Sequence, residues 1–136
     1  MAKSIGKIVL FTLYYPYNNI EQTFLKEELK ILSKYFSEII IVPEKTGGTL
    51  YEVESQVSVD VSLAKRLKDI SLSSKVKTLL SKQYLLELFR IKFNFSKAKI
   101  ATAKMLAALE TKKWLDENIF NTNNNDPVLL YSFWID

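Results

Sequence analysis

Two apolar runs, KIVLFTL at 7–13 and EIIIV at 38–42, enclose one amphipathic stretch, and this arrangement limits the fold more than any other feature. Neither run alternates between apolar and polar residues, which suits strands covered on both faces. Between them Leu25, Leu29, Leu32 and Phe36 recur at steps of four, three and four, leaving Lys26, Glu27, Lys30 and Lys34 outward. The helix they imply begins near Glu21–Thr23. Glu21 then suits the positive end of its dipole, and Lys30 and Lys34 the negative end. Pro43 stops the second run. Strand, helix and strand within about 35 residues make a βαβ unit with a right-handed crossover and parallel strands.

The later chain supplies fewer strands. Residues 44–50 (EKTGGTL) read as a loop, and Val57, Val59 and Val61 alternate with Ser58 and Asp60 as in a strand with one wet face near a sheet edge. Residues 62–120 form a basic helical region without an internal repeat. Ser73 or Ser74 is a candidate cap for a helix reaching about Arg90. Its apolar residues, Leu79, Leu80, Tyr84, Leu85, Leu86, Leu88 and Phe89, point nearly all round, so it is either deeply buried or faces something this chain does not contain. Residues 90–96 read as an irregular or mildly extended link, with Ser96 as the cap of a second helix. There Ala101, Met105, Ala108, Leu115 and Ile119 share one stripe, interrupted only by Lys112. A polar turn at 121–126 leads into a last strand at 127–134. The expected fold is α/β, a Rossmann-like open parallel sheet of about four strands with flanking helices, in a chain of single-domain length. Self-sufficient doubly wound domains normally have five or more strands, so the chain reads as the front portion of something larger or as a minimal domain completed by a partner.

Composition narrows the chemistry. Of 136 residues none is His or Cys, which removes Ser-His-Asp triads, imidazole bases, His- or thiolate-ligated metals, disulfides and cysteine nucleophiles. Scattered carboxylates such as Glu27, Glu28, Glu52 and Glu54 lack metal-loop spacing, so neither metal nor cofactor is expected. No segment has the roughly 18 uninterrupted apolar residues of a membrane span, and the start is too short and polar for a signal peptide, so a cytoplasmic home is expected. Net charge is +4, but residues 62–113 carry thirteen Lys or Arg against Asp69, Glu87 and Glu110, a net of +10. The remainder carries a net of −6.

Three places stand out. The loop after the first strand, with the helix start behind it, offers Tyr15, Pro16, Asn18, Asn19, Glu21, Gln22 and Thr23. Backbone N–H groups there, beside amide and hydroxyl side chains, can hold an anion or a sugar hydroxyl. Neither G-x-G-x-x-G nor a phosphate-binding G-x-x-x-x-G-K-[ST] is present, and the plain alternative is a loop with an ordinary helix cap. The end of the last strand places Ser132 and Trp134 on one face and Tyr131, Phe133 and Ile135 on the other, where most of these aromatics suit core packing. The basic helices interleave Lys75, Lys77, Lys82, Arg90, Lys92, Lys97 and Lys99 with Leu, Phe and Tyr, which suits an anionic membrane surface, although cationic helix faces are usually just solvated. Nucleic acid ranks lower, because no aromatic RNA-binding strand or recognition-helix motif accompanies the charge.

The opening, KIVLFTLYYPYNNIEQTFLKEELKILSKYFSEIIIVP, resembles the start of bacterial retaining glycosyltransferases of the GT-B fold, glycosyltransferase family 4. The features that carry the likeness are Tyr15-Pro16, Glu21, Phe24-Leu25, Glu28, Leu32-Ser33, Phe36 and Pro43. The closing LLYSFWID is similar to a later strand of the same domain, through Tyr131, Ser132, Phe133 and Trp134. The resemblance implies an incomplete half of a GT-B enzyme: the acceptor-binding N-terminal portion. Such an enzyme transfers sugar from a nucleotide sugar to a lipid-linked or polysaccharide precursor without a bound metal. It implies that Asn18, Asn19, Glu21 and Thr23 shape the cleft floor, that Ser132 and Trp134 border the acceptor, and that the chain is inert without a C-terminal donor domain. Asn18, Asn19 and Ile20 stand where many members carry glycines, and the family's histidine after the YSFW-like strand is missing. The other reading is a stand-alone, non-enzymatic α/β module that binds an anionic partner or membrane surface.

Overall fold

The computed structural model of the chain describes residues 6–19, 21–92, 94–121 and 126–133. Its elements run β1 (Lys7–Thr12), α1 (Gln22–Leu32), β2 (Glu38–Pro43), β3 (Val57–Val59), α2 (Ser62–Lys68), α3 (Leu72–Leu79), α4 (Lys82–Arg90), α5 (Phe95–Leu115), a π-helical turn (Asp116–Phe120) and β4 (Val128–Ser132). They divide into two compact units, Met1–Lys65 with Asn124–Asp136, and Arg66–Asn123.

The first unit is a Rossmann-like α/β layer. Its four strands are all parallel, in the order β3-β2-β1-β4. Lys7 pairs in register with Glu38 on one side and Val128 on the other, and the Lys7 ammonium meets the Glu38 carboxylate at 3.0 Å. Gly6 makes this three-way start possible. Its φ is +54°, and a Cβ there would lie 2.3 Å from the Pro127 carbonyl oxygen. That carbonyl accepts from the Lys7 N–H, while the Gly6 carbonyl accepts from the N–H and hydroxyl of Ser37. A side chain at residue 6 would separate the strand starts.

The apolar stripe of α1 lies where its spacing demands. Leu25 and Leu29 are buried with Ile8, Leu10, Ile39, Ile41 and Val57, and Leu32, Phe36, Tyr131 and Phe133 pack around them. Burying each leucine stabilises the fold by about 1.5–3 kcal/mol. Val9 and Val42, on the opposite face of the sheet, are buried as well, so the non-alternating runs are indeed covered on both faces. β3 is an edge strand with Val57 buried and Ser58 exposed. It is shorter than the expected 57–61, because the Asp60 carboxylate accepts from the Ser62 N–H at 2.8 Å and turns the chain into α2. The last strand spans Val128–Ser132 within the expected 127–134, and its pairing continues through the Phe133 N–H to the Phe11 carbonyl.

The second unit is helical, with α3 and α4 both packed on α5. Three expectations change here. The single helix to Arg90 is two helices, because Ser81 caps α4 by accepting from the Tyr84 N–H, and Ser71, not Ser73 or Ser74, caps α3. Serine hydroxyls compete for backbone groups, so a serine inside a helical pattern readily becomes a boundary. Asn94, not Ser96, caps α5 by accepting from the Lys97 N–H. The expected link at 90–96 is therefore shortened, α4 reaching Arg90 and α5 starting at Phe95. The buried residues of α5 are Leu106, Glu110 and Trp114; of the expected stripe Ile119 is buried, Ala101, Met105 and Leu115 are half-buried and Ala108 is exposed. Buried Glu110 holds the Lys113 ammonium at 2.7 Å, which permits a carboxylate at a buried position.

One contact between α1 and β4 is sensitive to pH. The Tyr131 hydroxyl donates to the Glu28 carboxylate at 2.9 Å, and this bond, with burial second, raises the phenol's pKa above its ordinary 10.0. Its stabilisation is fully present below pH about 10 and is lost as pH rises through the folded-state ionisation. Glu28→Gln is expected to bring the Tyr131 ionisation back towards 10 in an alkaline titration of tyrosinate absorbance. An unchanged titration curve would contradict the assignment.

Candidate functional site

In open parallel sheets ligands bind beyond the carboxyl ends of the strands, where strand order reverses. Here that point lies between β1 and β4, and the loop after β1 dominates it. The chain leaves Thr12 and turns at once: the Tyr17 N–H donates to the Tyr14 carbonyl at 2.7 Å, around a cis Tyr15-Pro16 bond. The Thr12 hydroxyl donates to the Tyr15 carbonyl at 2.7 Å.

Three consecutive backbone N–H groups of this loop then converge on one side chain. Leu13 N–H donates to Glu21 Oε1 at 3.0 Å, and the Tyr14 and Tyr15 N–H groups both donate to Glu21 Oε2 at 2.7 Å. Glu21 is only 2% exposed. Successive N–H groups facing one point form an anion-binding concavity, and this one is filled from within by the protein's own carboxylate. The anion site read at this loop from the sequence is therefore occupied by Glu21. The three N–H groups are not open to a ligand.

The loop after β2 braces the loop after β1. Glu44 and Lys45 N–H groups donate to the carbonyls of Thr12 and Leu13, both at 2.9 Å, and the Tyr51 N–H donates to the Pro16 carbonyl. The Lys45 ammonium lies 5.4 Å from the Tyr14 ring centre, within cation–π range. Tyr15 is buried, and that burial, with the Glu54 charge second, raises its pKa. Gly48 has φ +105°, and a Cβ there would stand 2.6 Å from the Tyr17 carbonyl oxygen. Glycine is the residue that lets the two loops touch.

The expected binding residues take distinct places around this frame. Asn18 is half-buried and Asn19 exposed, with the Asn19 carbonyl accepting from the Gln22 N–H at the entry to α1. Thr23 is exposed on the first turn of α1. Ser132 is exposed and stands opposite Phe11 in register, while its neighbours Tyr131 and Phe133 pack on the core, as strand alternation requires. Trp134 lies outside the described residues. Asn18, Asn19, Glu21, Thr23 and Ser132 thus belong to the first unit, near the carboxyl ends of β1 and β4.

A feature the sequence reading passed over lies one loop away. Tyr17, Thr46, Gly47, Gly48, Val61 and Lys65 line an open recess of about 350 Å³. The loops following β1, β2 and β3 all contribute to it. The adjacent glycines of the EKTGGTL loop were its only sequence signal.

In the second unit Lys75, Lys77, Lys82, Arg90, Lys92, Lys97 and Lys99 are all exposed. So are Leu72, Leu80, Leu86, Phe89, Phe95 and Ile100, with Leu80 75% and Phe89 68% accessible. Of the two possibilities for the all-round apolar helix, deep burial is set aside. A shallow groove of about 350 Å³ between α4 and α5 is floored by Tyr84 and Leu106 and rimmed by Phe95 and Lys99. Among the described residues no three potential ligands form a metal cluster, and no helix is long and apolar enough to cross a membrane. Comparison with protein-family models, curated proteins and solved structures finds no match for the chain.

Proposed function

We propose that the first unit is the acceptor-side portion of a retaining GT-B glycosyltransferase. It would present a lipid-linked or polysaccharide precursor to a nucleotide sugar held by a separate donor domain. The observation that carries this reading is the capture of the Leu13, Tyr14 and Tyr15 N–H groups by Glu21. A leaving diphosphate needs preorganised donors where its charge develops, and this loop has already spent three of them. Around the carboxyl edge stand the half-buried Asn18 and the exposed Asn19, Thr23 and Ser132, amide and hydroxyl side chains of the kind that suit sugar hydroxyls. The parallel sheet order and the residues of the family resemblance support the same role. The purified chain is expected to turn over no nucleotide sugar, while soluble glycan acceptors shift the amide resonances of Asn18, Asn19 and Ser132 saturably. Turnover by the chain alone, or acceptors that move none of these amides, would contradict it.

A second reading concerns the helical unit, which we propose docks on an anionic membrane surface as a peripheral contact. Residues 72–104 carry eight Lys or Arg against Glu87 alone. Exposed aliphatic and aromatic side chains lie among them, the combination that binds headgroup charge and the adjoining apolar layer together. Nucleic acid would use the cations but gain little from exposed leucines. Binding to acidic vesicles should exceed binding to neutral ones and weaken with salt. Equal binding to both would remove the idea.

A further inference from the structure

We propose that the recess lined by Tyr17, Thr46, Gly47, Gly48, Val61 and Lys65 binds the phosphate of a small phosphate ester, with Lys65 as the cation that holds it. The inference stands apart from sugar transfer, because it needs only the first unit and no reaction. Position comes first: the recess is built by the loops after three parallel strands, at the carboxyl edge of the sheet and on the β2 side of the switch point between β1 and β4. Its volume of about 350 Å³ falls at the lower end of the range for small-molecule sites, about 300–1,000 Å³.

The chemistry of the wall selects an anion. Lys65 is exposed, and no ion pair engages its ammonium among the described residues. No carboxylate lines the recess, although the first unit as a whole carries ten acids against seven cations. Lys65 is the one charged residue among those lining the recess, and in a unit that is acidic as a whole it is not the by-product of a generally basic surface. Tyr17 contributes a ring against which the body of an ester can lie. Gly47 leaves the backbone bare: a Cβ there would meet nothing within 4 Å, so a ligand can approach the main chain. The neighbouring loop already holds one anion, Glu21, on its own N–H groups. The recess is the place at this edge where an external one fits.

The test uses the full chain and amide-resolved NMR, because the cationic helices could attract any phosphate without specificity. Glucose 1-phosphate is expected to shift the Thr46, Gly47, Gly48 and Lys65 amides saturably, glucose to leave them unmoved, and inorganic phosphate to bind more weakly. Lys65→Gln should weaken glucose 1-phosphate binding about tenfold or more, the scale of one charged hydrogen bond. Lys65→Arg should retain it, as should Lys34→Gln on α1. Gly47→Leu, at a position with room for a side chain, should fill the recess and abolish binding with the sheet resonances in place. Equal shifts with glucose, equally tight inorganic phosphate, binding unaltered in Lys65→Gln, or shifts confined to the helical lysines would each overturn the assignment.

Discussion

A single buried carboxylate organises the working edge of this protein. Glu21 sits at the N-terminus of α1 and reaches back to the end of β1, where it takes three successive backbone N–H groups. A hydrogen bond to a charged group contributes about 1.5–3 kcal/mol, and a buried donor left unpaired costs about 1–3 kcal/mol. The carboxylate therefore holds the loop through three bonds of that kind. The second loop rests on the first through Gly48, so its recess depends on the same interaction. The helix, the first loop and the second loop form one chain of support, and Glu21 is where it begins.

The two units differ in the kind of surface they offer. The sheet unit is net acidic and shows small polar groups around a recess, while the helical unit is net basic and shows large apolar side chains among its cations. The first surface underlies the small-molecule binding proposed above, and the second the proposed docking.

Periodicity made the first unit legible. Leu25, Leu29, Leu32 and Phe36 could belong only to a helix packed on a sheet, and the non-alternating runs at 7–13 and 38–42 only to strands covered on both faces. Long-range polar contacts were not legible. Glu21 looked like a dipole-compensating helix start, and nothing local betrays a side chain aimed at backbone six to eight residues earlier. Gly47 and Gly48 read as a loop, because their use depends on what the fold places beside them. In the helical unit serine was ambiguous. The SLSS run at 71–74 offers three serines within four residues, and the cap falls on the one whose hydroxyl reaches the Ser74 N–H. On α5 alanines occur all round, so periodicity favoured Ala101, Met105 and Ala108. The side that is buried instead carries Glu110 beside its Lys113 partner.

Amide hydrogen exchange in the Glu21→Gln variant tests the organising role of the carboxylate most directly. Glutamine keeps the length of the side chain but has one accepting oxygen in place of two, and turns an N–H₂ group towards the remaining donors. Exchange at Leu13, Tyr14 and Tyr15 is expected to accelerate on the order of ten- to a hundredfold, the equivalent of about 1.4–2.8 kcal/mol, with Ile8, Leu10 and Ile39 still protected. Exchange at those three amides no faster than in the unaltered chain would show that the loop is held by something other than Glu21.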